Sequence, residues 1–183
     1  MKRLSFLSPL RIALMAAILF TGTNISAQNS SKDRKILADA AEAKADFVHT
    51  DGLIGNIFSS SYGYVIFPNV GKGGIGVGGA AGNGILYERG SAIGRAKMTQ
   101  VSVGFQFGGQ AYREVIFFES KADLDRFKEN RFEFSAQASA VAVKAGVSAN
   151  VKYNEGVMIF TQQKGGLMYE AAIGGQKFKY ESF

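Results

Sequence analysis

Hydrophobic positions change their period along the chain, and each change marks an element. Between Lys32 and Thr50, Ile36, Leu37, Ala40, Ala41, Lys44, Phe47 and Val48 recur at helical spacing, which predicts an amphipathic helix ended by Asp51-Gly52. Its alanine-rich middle has high helix propensity. A short second helix is expected over 53–60, where Leu53, Ile57 and Phe58 share a face. From Tyr62 the period becomes two. Tyr62, Tyr64 and Ile66 oppose Val65 and Phe67, so both faces are apolar and the strand belongs in the middle of a sheet.

From Lys97 the alternation is cleaner, with Val101, Val103, Phe105 and Phe107 on one face and Met98, Gln100, Ser102, Gly104 and Gln106 on the other. Such a pattern predicts a half-buried antiparallel strand. Gly108-Gly109 turns it, and Tyr112 to Phe118 returns apolar on both sides. Ser120 with Asp123 makes a capping box ahead of a helix whose narrow apolar face is Leu124 and Phe127. Phe132 to Tyr153 reads two ways, since its alternation suits a strand and its alanines suit a helix. The period of two persists through Val147, Ala149, Val151 and Tyr153, and favours a strand. Three closing strands are expected over 156–162, 166–173 and 177–180. The pattern is α+β: a curled, barrel-like antiparallel sheet of about eight short glycine-rich strands, with an N-terminal amphipathic helix and a short mid-chain helix.

Eight glycines between Gly71 and Gly84 leave too little side chain for an ordinary strand pair, so the backbone there bends or lies close against a neighbour. Gly74 to Gly79 matches the letters of a dinucleotide fingerprint. That motif must open a helix, whereas Ala80-Ala81-Gly82-Asn83-Gly84 leads into another strand. The run Gly63-Tyr64-Val65-Ile66-Phe67-Pro68-Asn69-Val70 is followed by Lys72-Gly73-Gly74, Gly82-Asn83-Gly84-Ile85-Leu86 and Val103-Gly104-Phe105-Gln106-Phe107-Gly108-Gly109-Gln110. With Glu114-Val115-Ile116-Phe117-Phe118 and Gly165-Gly166-Leu167 it resembles the SYLF domain, a lipid-binding family with yeast actin-patch and plant FYVE-associated members, from about Ala38 to Ile173. The resemblance implies a non-enzymatic module that binds acidic lipid.

Lys2, Arg3 and Arg11 precede or flank the apolar stretch Ile12 to Phe20, and Ile25-Ser26-Ala27 supplies small residues for cleavage. Residues 1–27 therefore read as a secretory signal peptide, too short in its apolar run for the ~20 residues of a membrane span. Residues 28–31 form a flexible lead, and 32–183 a single SYLF-like domain, exported to the periplasm and peripheral to a membrane. The leader holds three basic residues and no acid, so its loss lowers the net charge from +6 to +3. That excess is too mild for a nucleic-acid stripe.

Chemistry is sparse. One histidine, His49, and no cysteine exclude a zinc site of the usual His and Cys kind, no serine sits in a nucleophile elbow near that histidine, and no cofactor is called for. Glu114, Glu119, Asp123 and Asp125 are near in sequence, but most belong on a solvated helix face. Cations remain. Lys72 lies inside the glycine loop, and Arg89, Arg95 and Lys97 bracket the next one, so the four make a head-group site for anionic phospholipid if the loops fold side by side. Lys32, Lys35, Ile36 and Leu37 would let the first helix lie on a membrane, against the alternative that it packs on the sheet. Two other readings stay open: an envelope structural or protein-interaction domain, and a small outer-membrane β-barrel, for which most strands are shorter than the ~9–11 residues needed.

Overall fold

The computed structural model describes residues 31–75, 77–103, 110–130, 132, 139–164 and 170–183. The leader, the Gly108-Gly109 turn and the Gly165-Gly166 pair lie outside the described residues. Two compact units divide the chain, Met1–Lys35 and Ile36–Phe183. Helix α1 covers 31–50, and its residues from Ile36 onward belong to the second unit.

After α1 come α2 (Ile54–Ser60), β1 (Gly63–Ile75), β2 (Val77–Glu88), β3 (Ser91–Val103), β4 (Gln110–Phe118), α3 (Lys121–Lys128), β5 (Ser139–Ala142), a 3₁₀ turn (Val147–Asn150), β6 (Val157–Gln163), β7 (Glu170–Ala172) and β8 (Gln176–Ser182). The strands join one sheet in the order β7-β5-β6-β4-β1-β2-β3-β8. Every ladder is antiparallel except β5 with β6. As their two apolar faces predict, β1 and β4 are central.

The sheet curls until distant strands meet. The Phe67 ring of β1 lies 5.8 Å from that of Phe178 on β8, tilted by 36°, and Gln176 of β8 donates a 3.0 Å hydrogen bond to Glu114 of β4. It does not close into the expected barrel: among the described residues β7 pairs only with β5 and β8 only with β3. The strands are also longer than expected, 13, 12, 13 and 9 residues for β1 to β4. Glycines that read as strand breakers lie inside the ladders, where they serve close contact. A Cβ on Gly84 would run into the Ile66 carbonyl oxygen and the Phe67 ring.

Alternate residues build two cores. Val65, Phe67, Leu86, Met98, Ile116 and Phe118 face the interior of the curl, which Leu124 and Phe127 of α3 plug at one end. Tyr64, Ile66, Ile85, Val115, Phe117 and Phe160 face outward beneath Ala40, Ala43 and Phe47 of α1 and Ile54 and Phe58 of α2. Each fully buried large apolar side chain contributes about 1.5–3 kcal/mol, so the helices are part of the fold's stability. Polar ties fix α1 in place, with Arg113 2.5 Å from Asp46 and Lys44 3.1 Å from the Tyr64 hydroxyl. The α3 capping box forms as predicted: Ser120 accepts from the Asp123 N–H, and the Asp123 carboxylate accepts from the Ser120 N–H.

Two expectations change. Phe132 to Tyr153 is not one strand; 133–138 lie outside the described residues, strand pairing covers only 139–142, and 147–150 form a 3₁₀ turn. Gly146, at φ +74°, reverses the chain where a strand would continue. Asp51, at the end of α1, then accepts a 2.9 Å hydrogen bond from the Ser148 N–H. On β3 the valine face is the outer one: Val101 is 72% exposed while Met98 and Gln100 are buried.

Candidate functional site

The outer surface of the sheet is covered by helices only in part. On β3 and β8, Ala96, Met98 and Phe178 point into the core, so Arg95, Lys97, Thr99, Lys177 and Lys179 lie on the opposite face. In register, Lys97 sits directly across from Lys179, Thr99 from Lys177 and Arg95 from Glu181. Lysines placed directly opposite each other repel; here both are exposed, where water and salt screen them. Glu181 is the acid among them, 3.5 Å from Arg95 and 3.1 Å from Lys179. The hydrogen bond from Lys179 holds the Glu181 carboxyl below its ordinary range. The face is therefore cationic, with Val101 as its exposed apolar residue. An outer-membrane barrel would show an apolar band there.

The four cations proposed as one head-group site are distributed over three places. Arg95 and Lys97 share the outer β3 face. Arg89, in the turn between β2 and β3 at φ +49°, stacks on the Tyr62 ring at 5.1 Å. The glycine-rich tip between β1 and β2 lies at the other end of β2, so the two loops do not fold side by side. Lys72 turns inward: it pairs with Ala80 in register, faces the interior core, and retains 8% exposure. Burial lowers its pKa. Of the helix residues, Lys32 and Lys35 are exposed, while Ile36 and Leu37 are half-buried against the outer core. His49 is exposed on the last turn of α1.

Beyond Met98 and Phe67 the interior becomes polar. Glu114, Thr161 and Gln176 are fully buried, and Gln100 is 4% exposed. Glu114 lies across from Thr161, and Tyr112 from Gln163, and Gln100 from Gln176. Gln176 donates to Glu114 and also interacts with the Tyr112 hydroxyl. Among the described residues, Glu114 Oε1, Thr161 Oγ1, Gln163 Oε1 and Gln176 Oε1 have no hydrogen-bond partner. Leaving one such buried acceptor unpaired costs about 1–3 kcal/mol. Burial pushes the Glu114 carboxyl up to about 7, against the opposing Gln176 hydrogen bond. Of the four acids near in sequence, most of which were expected on a solvated helix face, Glu114 is the one fully buried. The available signal was its position within a strand otherwise apolar on both faces.

Residues 99–181 match the family model described as Ysc84, the Las17-binding protein actin regulator. That segment belongs to the Ysc84 (SYLF) family. The chain is also similar to Beta cell expansion factor A of Aeromonas veronii, 30% identical over 123 residues that cover 67% of this chain and 47% of that protein. It thus spans about half the length of the curated relative it matches. The Ysc84 segment holds Lys177 and Lys179 of the outer face, and Glu114, Thr161 and Gln176 of the polar interior. Lys72, Arg89, Arg95 and Lys97 precede it.

Proposed function

We propose that the protein is an exported, non-enzymatic binding module that docks on acidic phospholipid surfaces through the uncovered outer face of β3 and β8. The observation that carries this reading is the register of Lys97 with Lys179 and of Thr99 with Lys177, which sets cations side by side on the part of the sheet that α1 and α2 leave bare. Each Lys or Arg held near an anionic surface contributes about 1 kcal/mol, so Lys97, Lys177 and Lys179, with Arg95 sharing Glu181, suffice for reversible, salt-sensitive docking. Arg89 borders the same edge, and exposed Val101 is placed to enter the head-group layer. Lys72 takes no part, because it faces inward. Export by the leader and a periplasmic location belong to the same proposal, as do Lys32 and Lys35 as auxiliary surface contacts.

A protein partner is the second reading, favoured by the description of the Ysc84 family as binders of Las17; an acidic protein segment would meet the same lysines. Co-sedimentation with vesicles of neutral lipid, and of neutral lipid doped with anionic lipid, separates the two across a salt series. Binding to the anionic vesicles that fades with added salt supports lipid docking. Absence of binding at low salt rules it out and leaves the protein partner.

A further inference from the structure

At the end of the curl away from α3, the interior holds polar groups that the apolar core does not use and that lack partners of their own. Glu114, Thr161 and Gln176 are fully buried, and each keeps one oxygen without a hydrogen-bond donor among the described residues. Gln176 does not relieve the shortage, because its amide nitrogen is directed at Glu114 and its own Oε1 can only accept. Three acceptors, one of them a carboxylate, match the three N–H donors of a primary ammonium. Lys72 presents the reverse need. It is more than nine-tenths buried, it shares the inward phase of Val70 on β1, and among the described residues no acid or acceptor pairs with its ammonium. Its residual exposure places it at the rim and the acceptors deeper in.

We propose that this polar end is a binding site for a small, water-soluble zwitterionic amine, its ammonium received by Glu114, Gln176 and Thr161 and its anionic group by Lys72. The spacing suits a short molecule. Lys72 is level with Gln110 on β4, four residues from Glu114, which is about 13 Å of strand; a lysine side chain turned toward Glu114 and a short ligand would together close that distance. An ammonium beside Glu114 restores the charged carboxylate that burial disfavours, and an anion beside Lys72 does the same for the lysine. This site is on the inner face of the sheet, apart from the outer lysines, and stands or falls without them.

The test is calorimetric titration of the protein with O-phosphoethanolamine, with ethanolamine and inorganic phosphate as half-probes, repeated on Glu114→Gln, Thr161→Val and Lys72→Met. Circular dichroism identifies any variant that fails to fold, and the remaining variants then carry the comparison. The expected result is saturable binding of O-phosphoethanolamine, at least tenfold weaker for each half-probe and for each folded variant. No saturable binding to the native protein overturns the proposal and leaves the polar end to water. Binding that the folded variants retain, or that ethanolamine alone reproduces, also overturns it.

Discussion

The outer side of the sheet has two halves that belong to one continuous sheet, yet they end in opposite states. Over β6, β4 and β1 the outward residues are Phe160, Val115, Phe117, Tyr64 and Ile66, and α1 and α2 cover them. Over β3 and β8 they are Lys97, Thr99, Lys177 and Lys179, and neither helix covers them. The difference lies in what the outward phase of each strand carries. Apolar outward phases recruit a helix and become core, whereas cationic ones stay wet and are available to a partner. Stability therefore belongs to the first half, and the proposed recognition to the second.

The comparison breaks most severely if the covered half is emptied. Phe117→Ala is expected to cost about 3–5 kcal/mol in denaturant unfolding, whereas Lys97→Ala changes stability by no more than about 0.5 kcal/mol. Equal effects would mean that the lysine face is structural. A second large effect comes from Glu114, whose folded pKa of about 7 exceeds its ordinary 4.5. An acid with a raised folded pKa keeps its proton longer in the folded than in the unfolded state, so this group's contribution is full below pH 4.5 and is lost as pH rises to about 7. That loss amounts to about 3 kcal/mol, and Glu114→Gln should flatten this part of the stability profile. Gly84→Ala, which drives a Cβ into the Ile66 carbonyl, should cost about 1–3 kcal/mol, read from the unfolding midpoint. The smallest stability effect belongs to the pair Lys97→Ala and Lys179→Ala: no loss on unfolding, but about 2 kcal/mol less affinity for anionic vesicles.

Elements with strong local signals were legible in the sequence. The spacing of Ile36, Leu37, Ala40 and Phe47 placed α1, Ser120 with Asp123 placed α3, and the doubly apolar runs at 62–67 and 112–118 placed the central strands. What required pairing information was not legible. Lys97 and Lys179 are 82 positions apart and meet only because β8 returns beside β3. On β3 the interior needs small or slender residues where strands converge, so Gly94, Ala96, Met98 and Gln100 face inward and Val101 faces water. Alternation shows that a strand has two faces but not which one is buried. Glu114 and Gln176 carry no motif, and their meeting depends on the curl of the whole sheet. Among the described residues of 132–153, strand pairing covers the four residues of β5, and Gly146 then redirects the chain into a turn that Asp51 anchors through Ser148.

The most direct test reverses charge on the bare half and compares it with an equal change elsewhere. Lys97→Glu, Lys177→Glu and Lys179→Glu together form the first variant, and Lys32→Glu with Lys35→Glu and Arg34→Glu the second; both are co-sedimented with anionic vesicles at low salt. The β3–β8 variant is expected to stay folded and lose binding, while the helix variant keeps most of it. Binding unchanged by the β3–β8 reversal, or lost only with the helix reversal, would contradict docking through the β3–β8 face.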